Sequence, residues 1–454
     1  MIKMKTGLLS HQLEAYNKLQ RLRVGALYMQ MGTGKTRTTL ELIKYRLDRN
    51  KIGHVLWLCP CSVRQNLKDD IIKHADGAMA YIEIHGIESL SNSERLYETL
   101  GRYVTASETM LVVDESNLVK NFKAKRTQRI IELAKHCRYR IILNGTPISR
   151  NVADLFAQWY ILDWRILGYS SFYSFAENHL DYDKYGKICG CRKSDYLTEK
   201  IAPYTYQVSK EKCLTLPEKQ YRCYGYNLTD MQEEHYNTVV ECMLNRIDGF
   251  RKETIYRLFS AAQAVISGRW VLEKNGHMYT EQMFSDPLDN PRIQKLLEII
   301  EEIGNEKTII FCKYTHEIKT ILNLLPASVP FFGKISNKER LKSLELFKGN
   351  AKYLVANKVC AGYGLNLQHC RNIVFYSNDW NWSTRAQAED RVHRLGQMDN
   401  VRIYDLYAYG TLDMKIKQCL DKKERLNNEI MHEIENANNM KYIKGTFRHW
   451  LKGE

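Results

Sequence analysis

Four short β-rich runs punctuate the first 150 residues: Gly25 to Met29, Val55 to Cys59, Met110 to Asp114 and Arg140 to Asn144. Polar stretches of helical length separate them, which is the pattern of a parallel sheet flanked by helices. Each run ends in a loop rich in Gly, Pro, Ser, Asp or Asn, where α/β proteins place their ligands. Residues 161–290 change character, being aromatic and mostly helical, with a hairpin or loop around Tyr182 to Cys191. Strand-like runs return at Thr308 to Cys312, Tyr353 to Ala356, Asn372 to Tyr376 and Val401 to Tyr407. Beyond them, apolar positions at helical spacing (Leu420, Leu426, Ile430, Ile434) predict a helix packed on the body. The pattern therefore predicts an α/β protein. Its first lobe spans 1–160, a mainly helical insertion or bridge 161–290, a second parallel-sheet lobe 291–411, and a helical tail 412–454.

Charge sharpens this division. Residues 1–150 carry a net +11, residues 151–290 a net −3 and residues 291–454 a net +7, so the positive excess sits in the two strand-rich segments. A chain of net charge +15 suits a polyanionic partner. No run approaches the 18 or so apolar residues of a membrane span, and the first residues lead into no signal-peptide core. The expectation is a cytoplasmic monomer with no membrane partner, in a bacterial or virus-infected cell. The twelve cysteines are scattered, several inside apolar runs, as expected of reduced thiols. Cys189-Gly190-Cys191 with Cys213 and Cys223 lacks the paired ligand spacing of structural zinc and is expected to be ordinary thiols.

Two motifs carry the chemistry. Met31-Gly32-Thr33-Gly34-Lys35-Thr36 follows a predicted strand and opens a predicted helix. In such a loop glycines let backbone N–H groups turn toward phosphate oxygens, Lys35 reaches the β and γ phosphates, and the Thr36 hydroxyl binds Mg²⁺. Met29 stands where the general pattern has its first glycine. Leu111-Val112-Val113-Asp114-Glu115 is an apolar strand that delivers two carboxylates: Asp114 for Mg²⁺, and Glu115 to orient and deprotonate the attacking water. ATP and Mg²⁺ are the implied ligands.

With these motifs and others in order along both end segments, the chain resembles the Swi/Snf-like branch of the superfamily-two helicase ATPases. Leu9-Ser10-His11-Gln12 resembles the segment bearing that family's adenine-reading glutamine, here Gln12. Leu58-Cys59-Pro60-Cys61-Ser62-Val63 with Asn66 resembles its backbone-touching loop. Asp114-Glu115-Ser116-Asn117 stands for the more familiar D-E-A-H. Lys120 lies in the run that follows, and Leu143-Asn144-Gly145-Thr146-Pro147 matches L-T-G-T-P with Asn144 for Thr. Farther on, Ile309-Ile310-Phe311-Cys312 resembles the opening strand of the family's second lobe, and Gly362-Tyr363-Gly364-Leu365-Asn366-Leu367 its G-x-G-x-N-L loop. Asp379-Trp380-Asn381 precedes Gln387-Ala388-Glu389-Asp390-Arg391-Val392-His393-Arg394-Leu395-Gly396-Gln397, close to Q-A-x-x-R-x-H-R-x-G-Q.

The resemblance implies two RecA-like lobes with helical protrusions between them. It implies nucleotide binding by Gln12, Gly32, Thr33, Gly34, Lys35, Thr36, Asp114, Gly364 and Gln387, and coupling through Gly145 and Thr146. It also implies nucleic-acid contacts from Ser62, Asn66, Lys120, Asn366 and Trp380, although a large aromatic after a strand is often simply packed. Arg391 and Arg394, three apart and expected on one helical face, would stabilise the γ-phosphoryl charge. Hydrolysis would then be completed only when the lobes close, and would move the protein along double-stranded DNA. A strand-separating DNA or RNA helicase is the alternative on the same lobes. A nucleic-acid-binding scaffold weakened by Met29, Asn117 and Asn144 is the alternative from another class. The aromatics of the middle segment (Phe172, Tyr173, Phe175, Tyr204 to Tyr206) are expected in a helical core, since phosphate tracking needs a positive groove.

Overall fold

The structure, a computed structural model, describes residues 2–145, 152–182, 186, 188–213, 216–246, 252–275, 277–357, 365, 367–394, 396–422 and 440–453. Two compact units divide near residue 215. Each is built on a six-stranded parallel sheet with helices against it, giving two RecA-like lobes.

In the first unit the strand order is Thr205–Val208, Val24–Met29, Tyr139–Asn144, Thr109–Val113, His54–Cys59, Ile82–Gly86, all neighbours parallel. The four inner strands are the four apolar runs of the sequence, each to within a residue. They read as continuous apolar runs because both faces are covered. Alternate residues feed two separate cores: Leu56, Leu58, Leu111 and Val113 pack on the side of Ile130, Phe156 and Trp159. Val55, Trp57, Met110 and Val112 pack with Leu40, Ile43 and Ile71 on the other.

The second sheet runs Lys219–Tyr226, Val401–Ala408, Asn372–Phe375, Thr308–Cys312, Tyr353–Asn357, Ser328–Phe331, again wholly parallel. In the two six-stranded sheets four strands escape the sequence reading, and all four lie at sheet edges. Ile82-Glu83-Ile84-His85 alternates, Ser328–Phe331 contains Pro330, and Lys219–Tyr226 is polar and aromatic; an edge strand need not be apolar on every position.

Residues 161–290 do not form a body of their own. Helices Phe172–His179 and Ser194–Ile201, the ribbon of Leu180–Tyr182 with Ile188–Cys191, and the edge strand Thr205–Val208 belong to the first unit. The edge strand Lys219–Tyr226, helices Asp230–Asn245 and Lys252–Ile266, and the ribbon Arg269–Lys274/His277–Gln282 belong to the second. Each half supplies a strand that its sheet lacks, which is why the segment divides. Phe172 and Phe175 pack with Phe156 and Phe122 as core, and Tyr204 packs against the same core. Tyr206 donates to Glu14 Oε2 at 3.0 Å, while Tyr173 stands in solvent, 79% exposed. Of the tail, helices Leu412–Asp421 and Met440–Leu451 are packed on the second unit, where Tyr236 donates to the Leu451 carbonyl at 2.7 Å. Leu426, Ile430 and Ile434 lie outside the described residues.

A buried charge cluster fixes that docking. Arg292, on helix Pro291–Ile303, pairs with Asp413 at the start of helix Leu412–Asp421 and faces Glu317 at 3.9 Å. Glu317 is hydrogen-bonded by Ser267 Oγ and Ser377 Oγ, both at 2.6 Å. Removing one member of a buried pair strands the other charge, at about 3 to 5 kcal/mol. Asp413→Ala should therefore lower the urea midpoint of the second unit's unfolding by that amount of stability, and an unchanged midpoint would contradict the arrangement.

Candidate nucleotide-binding site

Because every strand of the first sheet runs the same way, all their carboxyl ends meet at one edge. The phosphate-type loop leaves Val24–Met29 there, and helix Lys35–Leu47 begins at its end. No side chain caps that helix, so its first N–H groups are left for a ligand. Gly32 (φ +81°) and Gly34 (φ +90°) adopt the left-handed backbone that favours glycine. A Cβ at Gly34 would also press on Gln12 Nε2, the far end of that side chain.

Gln12 sits against the loop. Its Nε2 donates to the Thr33 carbonyl at 3.1 Å and its Oε1 accepts from Leu9 N–H at 3.1 Å. His11, which the motif reading passes over, bonds the same Thr33 carbonyl through Nε2 at 2.8 Å. Thr33 is buried, its hydroxyl donating to Gln30 O at 2.7 Å. Lys35 Nζ reaches across the loop to Met29 O at 2.9 Å, so the residue in the place of the missing glycine contributes a carbonyl that steers the lysine. Thr36 is half-buried in the first helical turn.

Two strands along, Asp114 and Glu115 follow Thr109–Val113 at the same edge. Burial pushes the Asp114 carboxyl up to about 7, the neighbouring Glu115 adds to the rise, and the Lys35 ammonium opposes it. Its Oδ1 accepts from Glu115 N–H at 2.9 Å. Glu115 holds φ +49°, ψ 55°, a left-handed conformation unusual for a side-chain-bearing residue and one that recurs where chemistry constrains the backbone. The turn behind it is braced by Ser116 Oγ donating to Gln158 Oε1 at 2.6 Å. Lys120, expected on nucleic acid, lies 3.5 Å from the carboxylate of Asp154. Neither Gln158 nor Asp154 carries a motif signal.

Ser62 and Asn66 are half-buried in the turn and helix that leave His54–Cys59 at this edge. Asn144, standing for Thr, accepts from Gly145 N–H at 2.8 Å through Oδ1, while its buried Nδ2 has no partner among the described residues. Thr146 lies outside them.

In the second unit, Gly364 and Asn366 also lie outside the described residues. Gln387 is half-buried on helix Trp382–Glu389. Arg391 and Arg394 are not on a helical face, because the helix ends at Glu389. Turns follow, with Val392 N–H on Glu389 O and Arg394 N–H on Val392 O, both at 3.1 Å. Arg391 is buried, and its carbonyl accepts from Leu367 N–H at 3.1 Å, joining the end of the G-x-G-x-N-L loop to the signature. The last residue of the helix is Glu389. It is fully buried and held by Arg385 at 3.0 Å, Lys219 at 2.9 Å and the Tyr221 hydroxyl at 2.9 Å. Trp380 is half-buried, its ring covered by the Lys313 ammonium at 3.8 Å and neighboured by Phe259 and Tyr256. Among the cysteines, Cys189 and Cys191 are exposed on the first unit's ribbon and Cys223 on an edge strand of the second.

Residues 80–274 match the SNF2-related domain and residues 291–396 the helicase conserved C-terminal domain, together more than half of the chain. YwqA of Bacillus subtilis is 25% identical over 451 residues, 88% of this chain and 46% of that one. The human SWI/SNF-related matrix-associated actin-dependent regulator of chromatin subfamily A member 1 is 24% identical, over 90% of this chain and 42% of that one. The ISWI chromatin-remodeling complex ATPase ISW2 of Saccharomyces cerevisiae is 24% identical over 90% and 39%. The chain thus spans less than half the length of these relatives. Among solved structures, it is similar to the Sulfolobus solfataricus SWI2/SNF2 ATPase core in complex with dsDNA, at 25% identity, 99% and 97% coverage and a TM-score of 0.42. With an SNF2-related domain followed by a helicase C-terminal domain, the chain belongs to the Swi/Snf-like family of helicase-type ATPases.

Proposed function

We propose that this chain is an ATP-driven motor that moves along double-stranded DNA. The observation that carries the reading is the uncapped start of helix Lys35–Leu47, reached through two left-handed glycines, with Lys35 and the Asp114–Glu115 pair at the same sheet edge. In this reading the loop N–H groups and Lys35 bind the β and γ phosphates, while Glu115 takes a proton from the attacking water. The residues fit a hard divalent cation. Asp114 is a carboxylate whose charge is made costly by burial and by Glu115, so a neighbouring cation would restore it, and Thr36 offers a hydroxyl. Mg²⁺ held by these two would neutralise phosphate charge.

The reading assigns Arg391 and Arg394 to the γ-phosphoryl group as guanidinium donors, a contribution of about 10³ to 10⁵ in rate, or roughly 4 to 7 kcal/mol. Ser62, Asn66 and the basic surface of both units hold the phosphate backbone, which carries no sequence information, so the motor is indifferent to sequence. The positive charge of the two end segments and the relatedness to chromatin-remodelling ATPases support duplex DNA as the track.

Lys35→Ala and Glu115→Gln should each reduce ATP turnover by at least about a hundredfold while duplex binding changes little; turnover near wild type in either variant would remove the site assignment. Gly34→Ala combines a left-handed backbone penalty of about 1 to 2 kcal/mol with a clash on Gln12. It should weaken binding of a fluorescent ATP analogue by roughly tenfold or more. Displacement of a third strand from duplex DNA should require ATP. If the protein instead unwinds forked duplexes and displaces no third strand, it is a strand-separating helicase.

A further inference from the structure

Lys313 lies immediately beyond the carboxyl end of Thr308–Cys312, an inner strand of the second sheet. Its backbone is fixed on three sides. The N–H donates to Ser377 Oγ at 2.7 Å and Glu317 Oε2 at 3.1 Å, and the carbonyl accepts from Asn357 Nδ2 at 2.9 Å. The ammonium donates to Gln263 Oε1 and lies 3.8 Å from the centroid of the Trp380 ring. Among the described residues no carboxylate is within ion-pair distance of it. Gln263 is buried and is itself oriented, its Nε2 donating to Asn378 O at 2.9 Å. Asn378 in turn bonds Asp405 at 2.9 Å and Arg385 at 3.1 Å, so the polar chain runs back to the signature helix. An ammonium has three donors; Gln263 takes one and a ring face is a weak partner compared with an anion. Asp379, Glu317 and Asp413 act on this ammonium without an ion-pair contact, so its remaining donors are a site for an anion.

We propose that Lys313 grips a nucleic-acid backbone phosphate and that Trp380 is a positioning residue which holds this ammonium rather than stacking on a base. This rests on the motor reading above. Phosphate is the anion because residues 291–454, which hold Lys313, carry a net +7, and the inner strands of this sheet end where α/β proteins bind ligands. Burial lowers the Lys313 pKa to about 8, with Asp379 beside Trp380, Glu317 on helix Thr315–Leu324 and Asp413 on helix Leu412–Asp421 opposing the shift. The ammonium is charged below that value, so the grip is present at pH 7 and lost as pH rises past it.

The test is duplex-DNA binding of the full chain, followed by fluorescence anisotropy across a salt series at pH 7 and pH 9. The wild-type log–log slope should become shallower by about 0.9, one phosphate contact, between the two pH values. At pH 7, Lys313→Gln should show the same loss, Lys313→Arg should keep the steeper slope, and Trp380→Leu should match Lys313→Gln. The double substitution should fall no further. Equal wild-type slopes at both pH values would overturn the proposal without needing any variant. So would an unchanged slope in folded Lys313→Gln, or losses from Lys313→Gln and Trp380→Leu that add, since Trp380 would then touch nucleic acid itself. A flat wild-type titration at pH 7 would instead overturn the motor reading, and this proposal with it.

Discussion

The parallel run of the strands is the constraint from which the rest of the molecule follows. A parallel strand cannot turn straight back, so each is followed by a crossover, and every strand then ends at the same edge. In the first unit that single fact brings together Gly32 to Thr36, Ser62, Asp114, Glu115 and Gly145, which are spread over more than a hundred residues of sequence. The inner strands are buried on both faces, so the loops leaving them start from fixed points. The left-handed turns at Gly34 and Glu115 can therefore be sustained by the body behind them.

Buried charge is used differently in the two units. In the first, Asp114 is left at the edge with Glu115 beside it and Lys35 opposing, a balance that a phosphate and a cation can tip. In the second, charges are neutralised within the protein: Arg292 with Asp413, and Arg385 with Asp405 and Glu389. These pairs tie the tail and the signature helix to the sheet. Burial makes each intolerant of losing one partner. Lys313 departs from that rule, since it shares the buried surroundings but has an amide and an aromatic ring in place of a carboxylate.

Much of the site was legible in sequence because its requirements are local. A strand, a glycine turn and a helix start within a dozen residues, so Gln12 to Thr36 and Asp114-Glu115 could be placed with no knowledge of the fold. Arg391 and Arg394 were legible as residues but not as geometry. A spacing of three suggests one helical face, whereas the helix closes at Glu389, before them. Lys120 and Trp380 show the same limit, because Asp154 and Lys313, which occupy them, are remote in sequence and bear no motif.

Sequence alone determined the two sheets' inner strands, the phosphate loop and the acidic pair, since each depends on apolar continuity or on backbone freedom within a few residues. Only tertiary structure decided the edge strands, the division of residues 161–290 between the two units, and the partners of Lys120, Glu389 and Lys313. An edge strand is defined by the sheet it completes, and a charge by the group that folding sets beside it. Neither leaves a periodic trace in the chain.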